Sequence, residues 1–246
     1  MALTRKPGFC RDWDLLPVRA FPPVTINGYP ESHYRFLRLA SGGWIGISFE
    51  DRDRIVRVEH APQMTITDFG GLVGIRHLNI ARFLGLYFNR NSTDIVYEHT
   101  DLDLLDICPL ASEAEVASVI AQVLSAIMYL RSLAVDVRIS SIRVSMFGLV
   151  KLILDFHHRP TTDIIYRKNM YRFMVSYVEQ MMKVSSPRAH VWTYDAAEFL
   201  DILYARELPP SSHPFLSKSR GPAALRGPAQ VVMRTLMATR LNDKDS

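Results

Sequence analysis

Cysteine is nearly absent: Cys10 and Cys108 are the only two in 246 residues. Two thiols make neither a disulfide framework nor, by themselves, a zinc site. A reducing compartment with both thiols free is the expectation. Long apolar runs are also missing. No stretch approaches the roughly 18 residues needed to cross a bilayer, so no membrane span is expected. Met1 to Ala20 breaks short apolar pieces with Arg5, Lys6, Arg11, Asp12, Asp14 and Arg19. That segment lacks the apolar h-region of a secretion signal. An excess of one charge is missing too, since 29 Lys and Arg against 25 Asp and Glu leave +4. The surplus is not clustered, which argues against a nucleic-acid partner. From these absences a location in the cytoplasm or nucleus is the expectation.

What is present fits a globular fold. Hydrophobic residues are 48% and charged residues 22% of the chain, ordinary values that exclude global disorder. A chain of this length buries roughly three quarters of its unfolded surface, so it needs no covalent staples. The first 30 residues hold Pro7, Pro17, Pro22, Pro23 and Pro30, which reads as an extended arm or a loop-rich edge. Strand patterning follows. His33 to Leu39 alternates, Trp44 to Phe49 follows a turn at Ser41-Gly42-Gly43, and Arg54 to Val58 follows Glu50-Asp-Arg-Asp53. That order predicts a three-stranded antiparallel meander. Phe83 to Phe88 and Asp94 to Tyr97 flank Asn89-Arg-Asn-Ser92, a hairpin in turn chemistry.

After Asp103 the pattern turns helical. Ser112-Glu-Ala-Glu115 is a capping box. Behind it Val116, Val119, Ile120, Val123, Leu124, Ile127 and Leu130 hold the spacing of one buried helix face. Ile142 to Val144 and Leu149 to Leu154 flank Gly148 as a second hairpin, and a helix is expected over Asp163 to Met182. Its methionines Met170, Met174, Met181 and Met182 read as core, with a partner groove as the lesser alternative. Asp195-Ala-Ala-Glu198 reads as another capping box, opening a short helix that Pro209-Pro210 stops. Val231, Val232, Leu236 and Met237, with Arg220, Arg226, Arg234 and Arg240, suggest a basic terminal helix docked on its own chain; a partner-binding helix or a membrane-surface contact is the alternative. Strands first and helices later give an α+β fold in two lobes.

The residues in this order resemble a eukaryotic protein kinase domain. His77-Leu-Asn-Ile-Ala-Arg-Phe-Leu-Gly-Leu-Tyr87 is similar to that family's H-P-N-I-V-x-L-x-G-x-F run. Ile95-Val-Tyr-Glu-His-Thr-Asp-Leu-Asp-Leu-Leu-Asp106 resembles the fifth strand, hinge and helix D of cyclin-dependent-type Ser/Thr kinases. Gln122 to Leu130, Ile142 to Leu152, Asp195 to Leu203 and His213-Pro-Phe-Leu216 continue the likeness to about residue 217. It implies a small β-rich N-lobe with hinge over 31–103 and a mostly helical C-lobe over 104–217. Outside these lie the 1–30 arm and a 218–246 basic tail.

The same alignment shows what phosphoryl transfer would lack. The family needs a Gly-rich loop, a strand-3 Lys paired with a helix-C Glu, a catalytic Asp, an Asn and a DFG Asp, the last two for Mg²⁺. Ala40-Ser-Gly-Gly-Trp-Ile45 retains only Gly42 of three glycines. Arg57 stands at the lysine, and Asp68 at the glutamate, within a helix weakened by Gly70, Gly71 and Gly74. Read against H-R-D-L-K-x-x-N, Ala134 to Ser141 keeps Asp136 and puts Ser141 at the asparagine; a rival alignment puts Ile139 at the aspartate. The DFG triplet falls on Leu154-Asp155-Phe156 or on Asp155-Phe156-His157. About eight residues then precede Asp163, leaving no room for an activation loop, and there is no A-P-E anchor. His157-His158 with His77 lacks metal-ligand spacing, so no metal is expected.

The resemblance therefore implies a pseudokinase: no catalytic residues, and a vestigial nucleotide pocket at Gly42, Arg57, Tyr97, Glu98 and Thr100. Degenerate kinase positions stand at Arg57, Asp68, Asp136, Ser141, Leu154 and Asp155. The implied role is a protein-binding scaffold or allosteric regulator in a signalling complex, with a protein partner such as an active kinase and no cofactor. The alternative is an atypical minimal ATP·Mg-dependent kinase or nucleotide switch using Asp136, Asp155 and Arg57.

Overall fold

A computed structural model describes residues 24–40, 43–51, 54–61, 70, 72–89, 92–133, 138–155, 163–183, 192–205, 207 and 211–242. The fold is α+β. The expected meander is β2 (Tyr34–Ala40), β3 (Gly43–Ser48) and β4 (Ile55–His60), and the expected hairpin is β5 (Phe83–Asn89) and β6 (Ser92–Glu98). The two units join because β6 pairs antiparallel with β4. A three-residue strand, β1 (Val24–Ile26), adds parallel to the outer side of β5, giving the order β1-β5-β6-β4-β3-β2. The end of the Pro-rich segment is thus a sheet edge, and residues 1–23 lie outside the described ones.

Gly43 belongs to this sheet for a packing reason. A Cβ there would sit 2.2 Å from the Val58 carbonyl oxygen, closer than any side chain tolerates. The glycine lets β3 and β4 close on each other. Trp44 beside it is 43% exposed and stacks on Phe36 at 5.5 Å between ring centroids.

The second sheet is β7 (Leu102–Asp103), β8 (Arg138–Val144) and β9 (Val150–Asp155), antiparallel in that order. Around it pack α1 (Glu113–Ser132), α2 (Asp163–Met182), α3 (Tyr194–Tyr204), α4 (Pro214–Ser217) and α5 (Pro222–Asn242). The α1 capping box forms as expected: the Ser112 hydroxyl accepts from the Glu115 amide, and the Glu115 carboxylate accepts from the Ser112 amide at 3.0 Å. By length and composition α1 could cross a membrane, but most of it is buried in the protein. It is the central core helix.

One hydrophobic cluster runs through both sheets and all five helices, from Ala61 to Ala229. Met174 and Met181 lie inside it, so the methionine stripe is core; the Met170 side chain is outside the described set. The terminal helix divides in two. Leu225 and Ala229 are fully buried, whereas every residue from Arg234 to Thr239 is exposed. Gly148 makes the docking close, since its φ is +81° and a Cβ would lie 1.9 Å from the Pro222 oxygen.

Two buried polar joints fix these parts. In the first, Asn79 donates from Nδ2 to Gln122 Oε1 at 3.1 Å and to the Val150 carbonyl at 2.9 Å. Gln122 Oε1 also accepts from the Val150 amide at 3.0 Å. The backbone agrees, because the Leu152 amide donates to the Asn79 carbonyl and the Ala81 amide to the Leu152 carbonyl, both at 2.9 Å. The 77–82 segment is thereby tied to α1 and β9 on its way into the large sheet.

In the second joint, buried Glu113 accepts from the Thr193 amide and hydroxyl and from Lys218 Nζ at 2.6 Å. Lys218 also pairs with Asp195 at 3.1 Å. This corrects the expected cap of α3. Thr193 is the N-cap and Asp195 lies inside the first turn, because Glu113 from α1 supplies the carboxylate that the α3 terminus would otherwise take from its own sequence.

Candidate functional site

The candidate site is the region where β4, β6, the 99–101 connector and β8 meet. Strand register decides which side chains share its face. Arg57 on β4 lies opposite Ile45 on β3 and Tyr97 on β6, and Glu59 lies opposite Ile95. Residues two apart on a strand point the same way. Arg57, Glu59 and Tyr97 therefore gather on one face, and all three are buried.

They satisfy one another. Arg57 Nε donates to Glu59 Oε1 at 2.9 Å, and the Tyr97 hydroxyl donates to the same oxygen. Burial pushes the Tyr97 phenol well above its usual range, with the Glu59 charge adding to the effect, so the hydroxyl keeps its proton and remains a donor. The sequence suggested Asp68 as the partner of Arg57. The structure supplies Glu59 instead, and Asp68 lies outside the described residues. An opposite-charge pair two residues apart on a half-apolar strand was the available signal.

The connector that follows Tyr97 is equally committed. Glu98 Oε1 accepts from the Arg82 amide at 2.9 Å and from Lys151 Nζ on β9. The His99 amide donates to the Ile55 carbonyl at 3.3 Å. Thr100 is buried, and its carbonyl accepts from Arg143 Nε at 3.1 Å. Asp101 Oδ2 accepts from the Met146 amide at 2.8 Å. Arg143 was not singled out from sequence. Burial holds its pKa below the usual arginine value, and the nearby Arg57 charge acts in the same direction. A charged residue between two buried apolar ones, Ile142 and Val144, was the hint that the strand's second face carries something specific.

The other expected positions are scattered. Ser141 and Arg138, expected in a loop, stand in β8 paired with β9: Arg138 lies opposite Asp155 and Ser141 opposite Ile153. Their β-branched neighbours and the ladder to β9 make strand the better conformation. Leu154 is buried in the core and Asp155 is half-buried at the strand end. Gly42, Asp136, His157 and His158 lie outside the described residues.

The structure thus brings Arg57, Tyr97, Glu98 and Thr100 to one region, and adds Glu59, Arg143 and Lys151. Chemically these side chains pair with one another and with backbone groups of both sheets, a set suited to fixing the sheets against each other, while the buried Thr100 hydroxyl has no hydrogen-bond partner among the described residues. Compared with protein-family models the chain matches none, and no curated protein matches its sequence.

Proposed function

We propose that this chain is a degenerate, two-lobed protein-kinase-like domain that has lost phosphoryl transfer and acts by binding another protein. It serves as a scaffold or allosteric regulator in a signalling complex, and an active kinase is one partner class the reading suggests. Support for the fold comes from the order of parts. A meander carrying Arg57 lies directly beside the strand that leads into the 99–101 connector, as a nucleotide cleft requires of its cation and its hinge. The 77–82 segment, α1 and the β8–β9 hairpin follow in the family's order and are joined by Asn79 and Gln122.

The observation that carries the loss of activity is the internal pairing of Arg57. Its guanidinium is held by Glu59 on its own strand, whereas the family's cation pairs with a helix-C glutamate that leaves it aimed at the phosphates. Extracting it would strand a buried carboxylate, at a cost of about 3–5 kcal/mol. At the connector, the Thr100 carbonyl is already bonded. At the metal position, strict spacing places apolar Leu154 inside the core. These residues do not fit ATP·Mg²⁺, and no catalytic step is assigned to them. The test is transfer of radiolabelled phosphate to the protein itself or to a peptide library. None above a no-protein control is expected. Transfer that disappears in Asp136→Ala would overturn the reading in favour of a minimal kinase.

A further inference from the structure

We propose that a second copy of this chain covers the exposed end of α5. That end seats on α3 of the copy, and the copy's own α5 seats on α3 in return. Neither helix surface belongs to the 99–101 region, so the pairing stands whether or not the fold is kinase-like.

α5 is one helix docked over only part of its length. Leu225 and Ala229 are fully buried and Val232 is half-buried. Leu236 continues their i, i+4, i+7, i+11 stripe, yet it is 37% exposed, and Met237 beside it is 55% exposed. The apolar stripe therefore runs past the edge of the body it packs on. An amphipathic helix face in that position suits a groove on another molecule, and its charge narrows the choice. From Pro222 to Asn242 the helix holds Arg226, Arg234 and Arg240 and no acidic residue, which calls for an acidic surface. It holds no aromatic residue either, whereas helices that lie in a membrane surface anchor themselves with such side chains.

α3 presents the matching surface. It contains Asp195, Glu198 and Asp201 and no basic residue. Ala196, Phe199 and Leu203 bury its inner side. The opposite side carries Tyr194, Ala197, Glu198, Asp201 and Tyr204, all exposed. Lys218 already pairs with Asp195, but Asp201 forms no ion pair among the described residues. Tyr194 and Tyr204 stand at the two ends of this face, the second held through its hydroxyl by Glu179. Small Ala197 and the carboxylates lie between them, which makes a shallow seat with an acidic rim. Tyr194 to Tyr204 rises about 15 Å and Arg234 to Asn242 about 12 Å, at 1.5 Å per residue, so the free end of α5 matches the seat in length. Reciprocal docking closes the pair about a two-fold axis.

The test is sedimentation equilibrium of the full chain across the micromolar range, at low and high salt. Wild type is expected to form a dimer that weakens as salt rises, because exposed charge pairs are screened. Arg234→Glu and Asp201→Arg should each weaken the dimer by about tenfold or more, since each sets like charges against each other. Both sites are exposed, so both variants should keep the wild-type Tm. Mixed together, the two variants should dimerise with each other about as tightly as wild type, because the mixed pair restores opposite charge at both contacts. A wild type that stays monomeric at low salt overturns the proposal, and pelleting of that monomer with phosphatidylserine vesicles would give α5 a lipid surface instead. A dimer that neither substitution weakens, a mixture that fails to pair, or assembly beyond a dimer overturns it as well.

Discussion

Replacing Gln122 by leucine tests whether the joint between α1, the 77–82 segment and β9 holds the two sheets together. Leucine is close in volume, so the change removes hydrogen bonds with little loss of packing. The fully buried Val150 amide loses its acceptor, and Asn79 loses one of two acceptors while keeping the Val150 carbonyl. The Ser118 and Gly148 carbonyls lose a donor at 3.1 and 3.4 Å. A buried group left unpaired costs about 1–3 kcal/mol, and the Val150 amide is the worst placed. Added leucine burial returns part of this, leaving about 2–3 kcal/mol net. In a domain of this size that lowers Tm by about 4–12 °C. Urea unfolding should show a lower midpoint at unchanged slope. Gln180→Leu, on an exposed face of α2, should stay within about 0.5 kcal/mol of wild type. Asn79→Leu combined with Gln122→Leu should cost less than the two changes summed, because both act on one network. Equal stability of Gln122→Leu and Gln180→Leu would refute the reasoning.

Other expectations follow from the same contacts. Burial works to raise the Glu113 pKa, but hydrogen bonds from Lys218 and Thr193 outweigh it and leave it lowered. Its stabilisation is therefore complete above the ordinary carboxylate pKa of about 4.3 and disappears as pH falls through the lower folded value. The Lys218 pKa is raised, chiefly by its hydrogen bond to Glu113, so that contribution fades only as pH rises past about 10.4. Chemical unfolding against pH should show Glu113→Gln converging on wild type in acid and falling below it between these limits. Glu59→Gln leaves the buried Arg57 charge without a counter-charge and should cost about 3–5 kcal/mol, measured by urea unfolding. Arg57→Met added to Glu59→Gln should recover much of the loss. Leu225→Ala should cost about 2–5 kcal/mol, whereas a chain ending at Met233 should unfold within about 1 kcal/mol of wild type, because residues 234–239 are exposed.

Much of the fold can be read from local pattern. The β2–β4 meander, the β5–β6 hairpin and α1 combine clear periodicity with turn or capping residues at their ends. Three residues after Pro22-Pro23 carry too little pattern to announce β1, and its parallel pairing with β5 is a long-range choice. Asp195 has the sequence of a cap but not the position, since the deciding carboxylate comes from Glu113, 80 residues away from Thr193. Arg138 to Ser141 reads as strand once β9 is known to lie alongside; alignment to a catalytic loop favoured the other conformation. Arg57, Tyr97, Glu98 and Thr100 were legible as candidates, and the structure brings them to one region. Their partners were not, because Glu59 and Arg143 become significant only when strand register places them against Arg57, Tyr97 and Thr100.

The most direct measurement of the central claim is a thermal-unfolding series with ATP and with ADP, each with and without Mg²⁺. A nucleotide at 100 times its Kd would add about 2.7 kcal/mol, which is about 5–11 °C for a domain this large. No shift is expected in any of the four conditions, because Arg57 is held by Glu59 on its own strand and the Thr100 carbonyl by Arg143. A Mg²⁺-dependent rise in Tm that vanishes in Asp155→Ala would contradict it.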